Sequence, residues 1–138
     1  MRQITQDKNI FILRFDRGEE ILTGLVSFAR NLNIRAGTFE GLGAAEKVTL
    51  SFYDFEKKMY FDKEFREVEI ASLTGNVGIL KGEIAVHAHG VFSGKDLLGH
   101  AGHIKELVVS GTGEIRFEVV EGVLERTPDP ETGLNLLQ

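Results

Sequence analysis

Four histidines, His87, His89, His100 and His103, are the only ones in the chain, and all lie within residues 87–103. His87-Ala88-His89 sits in residues 84–92 (IAVHAHGVF), a run rich in β-branched and small residues that predicts a strand. Side chains alternate along a strand, so both imidazoles leave one face, about 7 Å apart along the chain. That spacing suits two nitrogens converging on one ion, because zinc–nitrogen bonds are about 2 Å long. Ile84, Val86 and Ala88 then face a core on the other side. Residues 93–96 (SGKD) are turn-like, and a chain that folds back there delivers a third imidazole beside the first two. Three imidazoles leave a fourth metal position open, where water can be activated or a carboxylate or phosphate received. The competing reading makes these histidines polar strand residues satisfied by backbone carbonyls and water.

Other candidates are weaker. Glu106 follows His103 by three residues and is the one candidate general base, or the carboxylate that orients an imidazole; a solvated strand residue fits the same position. Ser93 and Ser110 lack the elbow of a serine nucleophile. Gly41-Leu42-Gly43 and Gly111-Thr112-Gly113 do not continue into a phosphate loop. Gly75-Asn76 reads as a turn. Ten Phe could serve as base-stacking platforms, but Phe11, Phe15, Phe28, Phe52 and Phe117 fall on apolar faces and are expected in the core. The arginines Arg14, Arg17, Arg35, Arg66, Arg116 and Arg126 are scattered; where three subunits met on an axis, some could line a pocket for a small anionic ligand.

Composition narrows the chemistry. The chain has 138 residues and no Cys, so disulfides, thiolate zinc sites, iron–sulfur clusters and Cys nucleophiles are excluded. Its length suits one domain, residues 1–138, with enough core to need no covalent staple. A net charge of −5 argues against a protein held to nucleic acid by uniform positive charge. No apolar run approaches the length of a bilayer span, so no membrane partner is expected and a cytoplasmic location is.

The elements that must position the histidines are mostly strands. Residues 9–15 (NIFILRF) form a strand, and residues 19–33 carry Ile21, Leu22, Leu25, Val26, Ala29 and Leu32 at helical spacing. Strand patterns then follow at 37–42, 47–55, 58–65, 68–74, 77–80, 84–92, 106–110 and 114–120. Residues 58–65 are placed to return as a hairpin partner across Glu56-Lys57. The pattern predicts an α+β domain, mainly antiparallel sheet with one principal helix. Residues 127–133 (TPDPETG) break regular structure, yet Leu134, Leu136 and Leu137 are apolar, so residues 127–138 are expected to dock on the domain or a neighbouring subunit.

Five ordered segments carry a family likeness: Arg17-Gly18-Glu19-Glu20, residues 34–44 (IRAGTFEGLGA), residues 69–76 (EIASLTGN), His87-Ala88-His89 with Ala101-Gly102-His103, and Thr112-Gly113-Glu114-Ile115. Together they resemble the PPC (plants and prokaryotes conserved) domain, in the stand-alone prokaryotic form related to the domain of AT-hook nuclear proteins. The resemblance implies a homotrimer. It places His87, His89 and His103 on the family's three histidine positions, a metal triad for zinc or another divalent transition metal. His100 falls outside those positions and is expected, with Glu106, to support the ligands from behind. The family's DNA-binding label implies a DNA partner, but the AT-hook motif R-G-R-P is absent and no basic tract replaces it. A regulatory or small-ligand role, a DNA-associated role and a metal-dependent enzyme using an activated water are the three functions that follow.

Overall fold

The computed structural model describes residues 1–138. The elements run β1 (Arg2–Asp7), β2 (Ile10–Asp16), α1 (Ile21–Asn31), β3 (Gly37–Asp54), β4 (Met59–Leu80), β5 (Glu83–Ser93), β6 (Gly99–Val119), β7 (Glu125–Pro128) and β8 (Asn135–Leu137). All strand pairs are antiparallel except β4 with β7, so the domain is α+β as its pattern predicts. Hydrogen bonding runs β3–β4–β5–β6 and back to β3, a closed circuit of the four longest strands. Closure removes the free edges those strands would otherwise present. β1 and β2 extend the sheet from β6, and β7 and β8 extend it from β4.

The core gathers alternate residues of these strands with one face of the helix. Leu13, Phe15, Val48, Ile70, Leu73, Phe92 and Leu107 are buried, as are Ile21, Leu25, Phe28 and Ala29 of α1. Phe28 packs edge-on against both Phe11 and Phe117. Each such side chain contributes about 1.5–3 kcal/mol relative to exposure. Glu20 starts the helix by accepting from the backbone N–H groups of Leu22 and Thr23, and it also accepts from that of Leu107, tying the helix to β6.

Several expected short strands prove to be parts of long ones. Segments 37–42 and 47–55 are both β3; segments 58–65, 68–74 and 77–80 are all β4; segments 106–110 and 114–120 are both β6. The glycines that suggested breaks lie inside the ladder. Gly43 has φ +147° where β3 slips register against both neighbours, and a Cβ there would collide with the Thr112 carbonyl oxygen. Gly75-Asn76 is not a turn but the middle of β4, paired with Ala88 and His87. A Cβ on Gly75 would strike the His87 carbonyl oxygen and the Phe39 ring.

Phe52 also departs from expectation. Val48 and Leu50 on its side of β3 are buried, yet Phe52 is 70% exposed. Pairing of β3 with β6 ends at Ser51 and His103, and beyond it β3 continues only as a hairpin with β4. The alternation persists past the point where there is a core to receive it. At the other end of the chain, β7 pairs with β4 at Ile79 and Leu80, and β8 pairs back on β7. The Tyr53 hydroxyl donates to the Thr132 carbonyl at 2.6 Å. Leu136 and Leu137 nevertheless stay 39% and 45% exposed.

Candidate metal centre

The β5–β6 hairpin builds the centre. Its register sets His89 directly opposite His103, and strand alternation places His87 two residues along on the same face. The three rings stand 5.1–5.3 Å apart, centroid to centroid. One nitrogen from each of His87, His89 and His103 lies within 4.8 Å of the others. Three imidazole nitrogens at that separation fit a borderline-soft divalent ion, whose bonds of about 2 Å place ligand atoms 3–4 Å apart after small side-chain adjustments. When bound, such an ion supplies a Lewis-acid position open to a fourth ligand.

Burial and neighbouring positive charge keep His87 and His103 in the neutral form a metal needs. Desolvation, followed by the nearby Arg126 cation and the other two histidines, pushes the His87 pKa down to about 4. His103 is lowered chiefly by burial, then by His89, Lys105 and Arg126, with Asp62 opposing. Neutral imidazoles keep the lone pairs that bind an ion.

His100 and Glu106 stand apart from this group. His100, three residues before His103 on a regular stretch of β6, leaves the opposite face and stacks on Phe65 at 4.4 Å between centroids. His100 is among the residues around the larger cavity beside the triad but does not join the triad. Glu106 sits beyond a register slip between Thr49 and Leu50 and pairs with Lys47 at 2.8 Å. It borders neither cavity beside the triad.

The residue that does touch a triad ring is Arg126. Its Nη2 is 3.1 Å from His87 Nδ1 and donates to Asn76 Oδ1 at 2.7 Å, while Nη1 donates to the Asn135 carbonyl. The parallel pairing of β7 on β4 sets the Arg126 backbone beside Leu80, beyond the Asn76–His87 pair, and its long side chain reaches back to that pair. No local pattern signals this, since Arg126 is 39 residues from His87 and reaches it through the chain's last hairpin. Tyr60 joins from β4, its ring 5.4 Å from that of His103.

Two cavities meet at the histidines. The larger, about 680 Å³, opens between the β3–β4 hairpin and the β5–β6 hairpin, with Phe52, Phe55 and Phe61 on its wall. The smaller, about 350 Å³, lies under the C-terminal hairpin and is bordered by Arg126, Tyr60 and Leu134.

A closed antiparallel barrel-like sheet with three convergent imidazoles on one hairpin defines a class of protein: a β-rich domain with a histidine cluster of metal-ligating geometry. The family model for the Plants and Prokaryotes Conserved (PCC) domain matches residues 2–120, and the chain belongs to that family. Solved structures agree. A candidate DNA-binding protein from Bacteroides thetaiotaomicron is 32% identical, with a TM-score of 0.93 and coverage of 97% of this chain and 94% of that one. A candidate DNA-binding protein from Ralstonia eutropha is 33% identical, with a TM-score of 0.89, covering 93% and 90%. A metal-containing protein from Archaeoglobus fulgidus is 29% identical, with a TM-score of 0.86, covering 100% and 99%. No functionally curated protein matches the sequence.

Proposed function

We propose that this protein is a homotrimeric metal-binding member of the family, with zinc or another divalent transition metal held by His87, His89 and His103, serving a regulatory or small-ligand role. The observation that carries the reading is the convergence of three imidazole nitrogens within 4.8 Å. The description of the Archaeoglobus relative as metal-containing supports it. The trimer rests on the family resemblance and on exposed apolar side chains near the site. Phe52, Phe55, Leu97 and Leu98 are 70%, 64%, 80% and 63% exposed, the kind of surface a neighbouring subunit covers.

The test is metal analysis after chelation and reconstitution with zinc, joined to sedimentation equilibrium. The reading expects about one ion per chain and a mass three times that of the chain. A monomer, or zinc uptake no better than that of a denatured control, refutes it.

A DNA-associated role is the second reading, supported by the description of the Bacteroides and Ralstonia relatives. The net charge of −5 weighs against it. Submicromolar duplex binding that weakens steeply with added salt would reverse the ranking. A metal-dependent enzyme using an activated water is the third; Glu106, its one candidate base, is paired with Lys47 and borders neither cavity at the triad.

A further inference from the structure

We propose that Arg126 is the anion-receiving residue of the triad site, and that the site's ligand is a small oxyanion, a carboxylate or a phosphate, shared between the metal and the guanidinium. The proposal rests on the metal-site reading above and adds the ligand class and the residue that selects it.

The contact between Arg126 and His87 cannot survive metal binding. Nη2 of Arg126 is a donor with no acceptor capacity, so His87 Nδ1 must offer it a lone pair. If the metal binds Nδ1, that lone pair is taken. If the metal binds Nε2, the ring proton moves to Nδ1, and two donors face each other. Either nitrogen therefore releases Arg126 when His87 becomes a ligand. The usual outer partner of a ligating imidazole is an acceptor. Asn76, paired directly across from His87, carries such an oxygen, which Arg126 now occupies. With the metal on Nε2, that amide oxygen is the acceptor paired across from His87 for its Nδ1–H.

Freed from His87, the cation keeps only neutral oxygens, the Asn135 carbonyl and the Asn76 amide, and no carboxylate. Arg126 Nε is already buried without a hydrogen-bond partner. Neither cavity at the triad is bordered by an Asp or Glu, whereas Arg126 borders the smaller and Lys63 the larger. Asp62, the acid whose charge reaches His103, is held by Ser51 and Lys105. A divalent ion on three neutral imidazoles, beside a guanidinium and with no acid on the cavity wall, leaves the site strongly positive. An oxyanion with one oxygen on the open metal position and another on Arg126 meets both demands.

Calorimetric titration of the zinc-loaded protein with inorganic phosphate and, separately, with acetate tests this. Arg126→Gln is expected to weaken binding of the preferred anion about tenfold or more. Its zinc affinity should equal or exceed that of the parent, because no Arg126–His87 contact has to be broken. Arg126→Lys, which keeps the charge, should recover part of the anion affinity. The stronger of the two anions identifies the source, phosphate or carboxylate. Equal anion affinity in parent and Arg126→Gln overturns the proposal, as does loss of zinc together with anion, which would make Arg126 a structural support. Failure of the parent to take up zinc appears before any anion is added and refutes the underlying metal reading instead.

Discussion

Replacing His103 and His100 one at a time by Ala separates a metal site from a cluster of ordinary strand histidines. The two residues lie on the same strand, three apart, and both are half-buried. Their removal should cost similar, small amounts of packing, since neither belongs to the apolar core. Metal affinity should not respond alike. His103 faces His89 across the hairpin and points with His87 to one centre, whereas His100 stacks on Phe65 on the other face. Zinc held by four protein ligands is worth about 10–16 kcal/mol, so each ligand carries about 3 kcal/mol, on the order of a hundredfold in Kd. His103→Ala, and equally His87→Ala or His89→Ala, should weaken zinc by about that factor, while His100→Ala stays close to the parent. Competition against a chromogenic chelator gives the constants, and thermal unfolding of the metal-free forms confirms that the fold is intact. Comparable losses in His100→Ala and His103→Ala, or stoichiometric tight zinc in His103→Ala, would show that the triad geometry does not govern binding.

Glu106→Gln should leave zinc affinity unchanged and cost at most about 1 kcal/mol of stability, because its ion pair with Lys47 is partly solvated; chelator competition and urea unfolding check both. Gly75→Ala should lower stability by about 1–3 kcal/mol, as the added methyl meets the His87 carbonyl oxygen, which the β4–β5 ladder holds in place; urea unfolding of the metal-free protein reads this. The C-terminal turn should loosen in acid. The Asp129 carboxylate accepts from the Thr132 hydroxyl and N–H, which hold its pKa below the ordinary range. Its stabilisation is therefore complete above the unfolded pKa of about 4 and lost as pH falls through the depressed folded value. Hydrogen exchange at residues 129–134 should rise in that window, and Asp129→Asn should raise it already at neutral pH.

What the sequence revealed and what it hid divide along physical lines. The histidine pair was legible because alternation in a strand is a local rule, and the hairpin connection at residues 94–98 constrains where the returning strand can bring His103. The helix was legible because its apolar stripe repeats at the helical period, although Phe28 rather than Leu32 completes the buried face. Strand lengths were hidden because glycine carries two opposite messages. At Gly43 and Gly75 it marks a close approach of neighbouring backbone within a continuous ladder, not an end to it. Phe52 was misplaced because periodicity reports which face a side chain takes, not whether the core extends that far. Arg126 was hidden for a deeper reason. Its place beside His87 depends on the parallel pairing of the chain's last segment with β4, a contact between residues 79–80 and 125–126 that no short pattern encodes. Local rules thus disclose the histidine cluster, while the guanidinium beside it arrives through long-range topology. The same net charge of −5 that weighs against a DNA partner gives no hint of the locally positive cavity, because the acids that outnumber the bases lie off its wall.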